Sequence, residues 1–214
     1  MFNFNKKPKI STPKISMPEI RILSGRFIDN VLYSYINRIE EYKDSKAPSR
    51  IEMLDAMRAR KESWQKEETQ ILNALQQITG LTFFQNSIDV YLVGGWHRAF
   101  SDPVVISIKI EGEAFVDVLT HELIHRLLTD NKQDKNGGIW CKKNYPEIED
   151  PAVSNHILVH AIHKEIYLDV LGRPDRLAAD IEKCEVKLAY KEAWNIVERE
   201  GYKNIIKSFN DFLV

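Results

Sequence analysis

The sequence has few of the residues that mark special classes of protein. Its two cysteines, Cys141 and Cys184, lie far apart and outside any Cys-x-x-Cys pair, which argues against a disulfide framework or a cysteine-based zinc site. No uninterrupted apolar run approaches ~18 residues, and residues 1–10 lack the apolar core of a signal peptide. The sequence therefore predicts a cytoplasmic protein with no membrane partner.

An excess of charge of either sign is also missing. The chain has 30 basic and 31 acidic residues, so its formal net charge is −1 and no strong field attracts nucleic acid. Apolar residues make up 43% of 214 residues, which is enough to bury a core without disulfide or metal support. We therefore expect a bound metal to serve chemistry rather than hold the fold together.

A proline repeat sets the first twenty residues apart. Pro8, Pro13 and Pro18 are spaced by five, and each is followed by a charged residue and an isoleucine. Prolines at this spacing oppose helix and favour extended backbone. The pattern predicts an extended arm over residues 1–20, which acts either as a flexible leader or as an arm that lays its isoleucines on the same subunit, another subunit or a partner. Residues 21–214 are predicted to form a single domain with helical N- and C-terminal parts.

Most of the remaining chain shows helical patterning, and one segment does not. Residues 81–110 are rich in β-branched and aromatic residues, which predicts a small sheet of two to four strands, with its best strand at 104–110. The segments predicted to be helical are 21–42, 49–79, 113–129, 150–172 and two or three helices within 174–214. The predicted fold class is α+β, mostly helical, with one small mixed β-sheet.

The strongest motif is Thr120-His121-Glu122-Leu123-Ile124-His125 in the helix that follows this sheet. Histidines at i and i+4 project from one face of a helix, so both imidazoles can reach a single metal ion. Glu122 flanks that ion and can accept a proton from a metal-bound water, whose pKa zinc lowers toward ~7. The motif predicts His121 and His125 as zinc ligands and Glu122 as a catalytic general base.

A second histidine cluster lies in the next predicted helix. His156, His160 and His163 are spaced i, i+4 and i+7, so they share one face. A catalytic zinc needs a third protein ligand and keeps its fourth position for water. We expect this helix to supply that ligand.

With these two clusters, the sequence resembles the zincin metallopeptidases over roughly residues 81–172. The metzincin extension is missing, because Leu128 and Asn131 stand where that extension has glycine and histidine. The chain looks more like the gluzincins, whose third ligand is a glutamate on a separate downstream helix, which makes Glu165 a candidate. His160, at the centre of the histidine face, fits the local pattern better. It is the predicted third ligand, with His156 and then Glu165 as reserves.

The resemblance implies a zincin-like domain holding one Zn²⁺ per chain and acting on a peptide or protein substrate. The leading hypothesis is a zinc metallopeptidase that uses Glu122 as its base. The alternative is a non-enzymatic zinc-binding or interaction protein on the same scaffold, distinguished by whether the metal retains an open water position. A third interpretation, a helical nucleic-acid-linked protein with a chance motif, is disfavoured by the near-zero net charge.

Overall fold

The computed structural model describes residues 17–40, 46–131 and 137–214. Most of the predicted arm, residues 1–16, lies outside the described residues. The described strands are β1 (Glu19–Ser24), β2 (Ser87–Val93), β3 (Phe100–Ser101) and β4 (Val104–Ser107). The described helices are α1 (Arg26–Ile36), α2 (Arg50–Gln65), α3 (Glu68–Thr79), α4 (Gly112–Asp130), α5 (Gly137–Asn144), α6 (Pro151–Glu165), α7 (Pro174–Cys184), α8 (Leu188–Glu200) and α9 (Tyr202–Phe212). A π-helical segment, Ile166–Val170, continues α6.

The four strands form one sheet in the order β1-β2-β4-β3. The pairs β1–β2 and β2–β4 are parallel, whereas β3 pairs antiparallel with β4 at one edge. The predicted class is confirmed at this level: the described chain is mixed α and β, mostly helical, with one small mixed sheet. Two of the expected strands are present as β2 and β4, but β4 ends at Ser107 and not at residue 110, and residues 81–84 form no strand.

The prediction of a helix over residues 21–42 is wrong at its start. Arg21–Ser24 belongs to β1, which pairs with β2 in a register that places Ile20 opposite Ile88. In β1, polar Glu19 and Arg21 alternate with apolar Ile20 and Ile22, and Ile20 is buried in the core. This period of two is the pattern of a half-buried strand, and it decides the local structure.

The helix expected over residues 49–79 is present as two helices. Ser49 caps α2 in a capping box with Glu52, and Gly80, with φ of 63°, ends α3 in the left-handed conformation. The break falls at Glu67, whose two carboxylate oxygens each accept a hydrogen bond from Arg176 Nη1 at 2.8 Å. The break therefore places a carboxylate where α7 can bind it.

Helix α4 lies at the centre of the molecule and packs against the sheet, α2 and α6. Apolar residues on several of its sides are buried, among them Phe115, Leu119 and Leu123. Asp150 caps α6 by accepting the amide proton of Ala152 at 2.8 Å, as its position before a proline predicts. A helix that the sequence did not predict, α5, begins at Gly137 and connects α4 to α6.

Three helices lie within residues 174–214, in agreement with the two or three expected there, and Gly201 separates the last two. Among the described residues, no helix combines the length and apolar character needed to cross a membrane.

Candidate metal centre

The motif histidines lie on one face of α4, as their spacing predicts. The Nε2 atoms of His121 and His125 are 3.2 Å apart, and their ring centroids are 4.9 Å apart. Both imidazoles therefore present the same ring nitrogen to one point. Glu122, between them in sequence, is 8% exposed and also lines the cleft above this point.

The third histidine at this point is His156, from the first half of α6. Ring nitrogens of His121, His125 and His156 all lie within 4.8 Å of one another. His156 Nδ1 lies 2.6 Å from the carbonyl oxygen of Ala152, so Nδ1 carries the proton and donates it. The lone pair is then on Nε2, and the ring orientation is fixed as it is in many metal-ligating histidines.

His160, the predicted third ligand, is not among these three residues. Its ring is fully buried, stacks on Trp194 at 4.3 Å and lies 5.9 Å from the ring of His121. His163 lies beside it, stacked on Tyr167. Neither His160 nor His163 lines the cleft, and Glu165 also lies outside the lining and the group of three. The first reserve, His156, therefore occupies the place that the sequence assigned to His160.

Burial keeps the clustered imidazoles neutral. Desolvation, followed by the proximity of His125, holds the pKa of His121 well below its usual range. Desolvation lowers the pKa of His125 to about 3, with a smaller contribution from His156. The pKa of His156 is also lowered by desolvation. Neutral imidazole has a free lone pair and is the form that binds a metal.

Burial raises the pKa of Glu122, whereas it lowers the pKa of the histidines. Desolvation raises the pKa of its carboxyl group to about 7, and the charge of Lys187 opposes that rise. The cleft that it lines has a volume of about 500 Å³ and is walled on one side by Phe100 of β3. A carboxylate, a group of imidazoles and an open cleft thus meet at one place.

One further polar residue of the cleft has no counterpart in the sequence motifs. Tyr190, on α8, lines the cleft, and its ring lies 4.0 Å from that of His156. Tyr167, which follows α6 in the π-helical segment, is fully buried and does not line the cleft. No spacing or motif marks Tyr190, because its position depends on how α8 packs against α6.

The chain matches no protein-family model, no curated protein and no solved structure. Its function is therefore inferred from the chemistry of the cluster. Three neutral imidazoles beside an open cleft are a donor set that suits zinc with three protein ligands and one exchangeable position. The fixed Nδ1–H of His156 and the converging Nε2 atoms of the α4 histidines fit that role.

Proposed function

We propose that this chain is a zinc-dependent hydrolase, a metallopeptidase of the zincin kind, which cleaves peptide bonds in a peptide or protein substrate. His121, His125 and His156 would hold one zinc ion per chain. The observation that carries the proposal is the convergence of these three imidazoles at the cleft lined by Glu122.

The bound metal and the side chains of Glu122 and Tyr190 have separate roles in the proposed hydrolysis. Bound zinc supplies a Lewis acid that polarises the scissile carbonyl and lowers the pKa of water. The Glu122 carboxylate accepts a proton from the attacking water and passes it to the leaving amine nitrogen. Tyr190, on α8, donates its hydroxyl proton in a hydrogen bond to the carbonyl oxygen as that oxygen gains negative charge.

Metal content and hydrolysis measured on the same sample test the proposal. The untagged chain is stripped with a chelator, reconstituted with zinc, analysed by inductively coupled plasma mass spectrometry and assayed on a quenched fluorescent peptide library. We expect one zinc per chain, with hydrolysis lost on chelation and restored by zinc. A chain that takes up no zinc would refute the proposal. A chain that holds zinc and cleaves nothing would favour the non-enzymatic alternative.

A further inference from the structure

Helix α1 exposes several of its apolar side chains. Phe27, Val31 and Tyr35 recur every four residues, and their exposed fractions are 66%, 68% and 54%. Ile39, one further step along, is 37% exposed. The side chains that α1 buries are those of Asp29 and Ile36. Phe27, Val31 and Tyr35 of α1, with Ile39 just beyond the end of the helix, form the α1 apolar face.

Specific contacts fix this orientation of α1. Asp29 Oδ1 accepts the amide protons of Gly94 at 3.0 Å and Gly95 at 3.1 Å, which ties the side of the helix that carries Asp29 to the end of β2. Tyr33 packs so closely on the two glycines that a Cβ atom at either position would collide with it. With the side that carries Asp29, Tyr33 and Ile36 packed inward, the helix exposes Phe27, Val31 and Tyr35 to solvent.

The α1 apolar face continues into the wall of the candidate metal cleft. The ring of Tyr35 lies 5.6 Å from that of Trp96, and the Trp96 ring stacks on Phe100 at 5.7 Å. Phe100 is 44% exposed and lines the cleft together with His121 and Glu122. Contiguous exposed apolar surface of this kind marks a binding site rather than ordinary protein surface.

We propose that the α1 apolar face, joined to the cleft through Trp96 and Phe100, is a docking surface for an apolar segment of the polypeptide being cleaved. The inference rests on the proposed function. From Phe27 to Tyr35 the helix rises about 12 Å, which matches roughly four residues of an extended chain. The docked segment carries aromatic or branched aliphatic side chains, and the same polypeptide then passes over Phe100 into the cleft. A polypeptide is favoured over other apolar partners because the surface ends beside Glu122, the proposed general base for peptide hydrolysis.

Binding of a permanently unfolded protein tests this surface without cleavage. The probe is fluorescein-labelled, reduced and carboxymethylated α-lactalbumin, titrated with full-length Glu122→Gln protein and followed by fluorescence anisotropy. Adding Phe27→Ser and Val31→Ser should raise Kd at least about tenfold, because two side chains lose apolar contact with the probe. Both residues are about two-thirds exposed, so the melting temperature of the variant should stay within about 3 °C of its parent.

Phe84 provides the matched control. It is 63% exposed, close to the 66% of Phe27, but it precedes the start of β2, whereas α1 lies near the end of that strand. Phe84→Ser should leave Kd within about twofold of its parent. An unchanged Kd for the α1 variant, or an equal loss for the Phe84 variant, would overturn the docking surface even if zinc-dependent hydrolysis is intact.

Three other occupants of the surface are distinguished by separate measurements. A dimer that sediments as such in wild type and dissociates with Phe27→Ser would assign the face to a second copy. A gain in probe affinity on Ile10→Ser and Ile15→Ser would assign it to the chain's own N-terminal residues. Binding to phosphatidylcholine vesicles with a quarter phosphatidylglycerol, lost with Phe27→Ser, would assign it to a membrane. Each result overturns the proposal. A different result would be a chain that neither holds zinc nor hydrolyses peptides but still binds the probe through the α1 apolar face. That result would refute the proposed hydrolase, and with it the role of the bound polypeptide as a substrate.

Discussion

Replacement of His156 by alanine, compared with the same change at His160, distinguishes between the two candidate third ligands. The structure places a ring nitrogen of His156 within 4.8 Å of ring nitrogens of both α4 histidines. It places His160 behind them, stacked on Trp194. In the proposed zinc site, the first change would remove a metal donor, whereas the second would remove a buried ring that packs behind the site.

The two variants should differ in both zinc affinity and stability. Structural zinc sites with four ligands bind with about 10–16 kcal/mol, or roughly 2.5–4 kcal/mol per ligand, so His156→Ala should weaken zinc binding ~10²–10³-fold. Loss of a residue behind the ligands typically costs ~10–100-fold, and His160→Ala should fall at or below that range. Since His160 is fully buried, its truncation should also cost about 2–4 kcal/mol, or roughly 5–15 °C in melting temperature.

The assay is competition for zinc against a fluorescent chelator of known affinity, at a temperature below both melting transitions. Circular dichroism on the same samples separates loss of fold from loss of a ligand. If His160→Ala weakens zinc binding more than His156→Ala does while the protein stays folded, His160 is the ligand. The reasoning from the geometry would then be refuted.

Three further perturbations test the catalytic groups, the support of α4 and the role of the metal. Tyr190→Phe should lower kcat by about 10²-fold at unchanged zinc content, because a transition-state hydrogen bond is lost; steady-state kinetics showing less than a twofold change would contradict this role. Arg176→Met should lower the melting temperature by about 5–15 °C, since Arg176 is 4% exposed and pairs with Asp117 and Glu67. Arg58→Met is the control, because the Arg58 side chain is 72% exposed, and it should shift the melting temperature by less than about 2 °C. Similar shifts for the two variants would refute the claim that burial of Arg176 makes its ion pairs important for stability. Chelation of the metal should lower the melting temperature but leave the far-ultraviolet circular dichroism at 25 °C unchanged, because the core does not depend on the site; a loss of helical signal would show a structural metal.

The sequence predicts the parts of the fold that local rules determine. Ser49, Gly80 and Asp150 mark helix ends because their side chains or backbone satisfy the free groups there, and the structure confirms all three. The face shared by His121 and His125 follows from helical periodicity alone, and their Nε2 atoms do converge. These features need no knowledge of how the helices pack.

The features that the sequence does not predict depend on tertiary contacts. His156 and His160 share a face of α6, and the choice between them is made by where α6 crosses α4. Tyr190 reaches the cleft only because α8 packs on α6. The spacing of Phe27, Val31 and Tyr35 is that of a buried helix face, yet Asp29 and Ile36 occupy the inward side of α1, so these three side chains face outward.

The measurement that tests the central claim most directly is hydrolysis by the zinc-loaded Glu122→Gln variant. Glutamine has nearly the shape of glutamate and can still form hydrogen bonds, but it cannot accept the proton of the attacking water. We predict that zinc content and melting temperature stay close to wild type while hydrolysis of the peptide library falls by at least ~10²–10⁴-fold. Hydrolysis that Glu122→Gln leaves intact would contradict the mechanism, even with one zinc bound per chain.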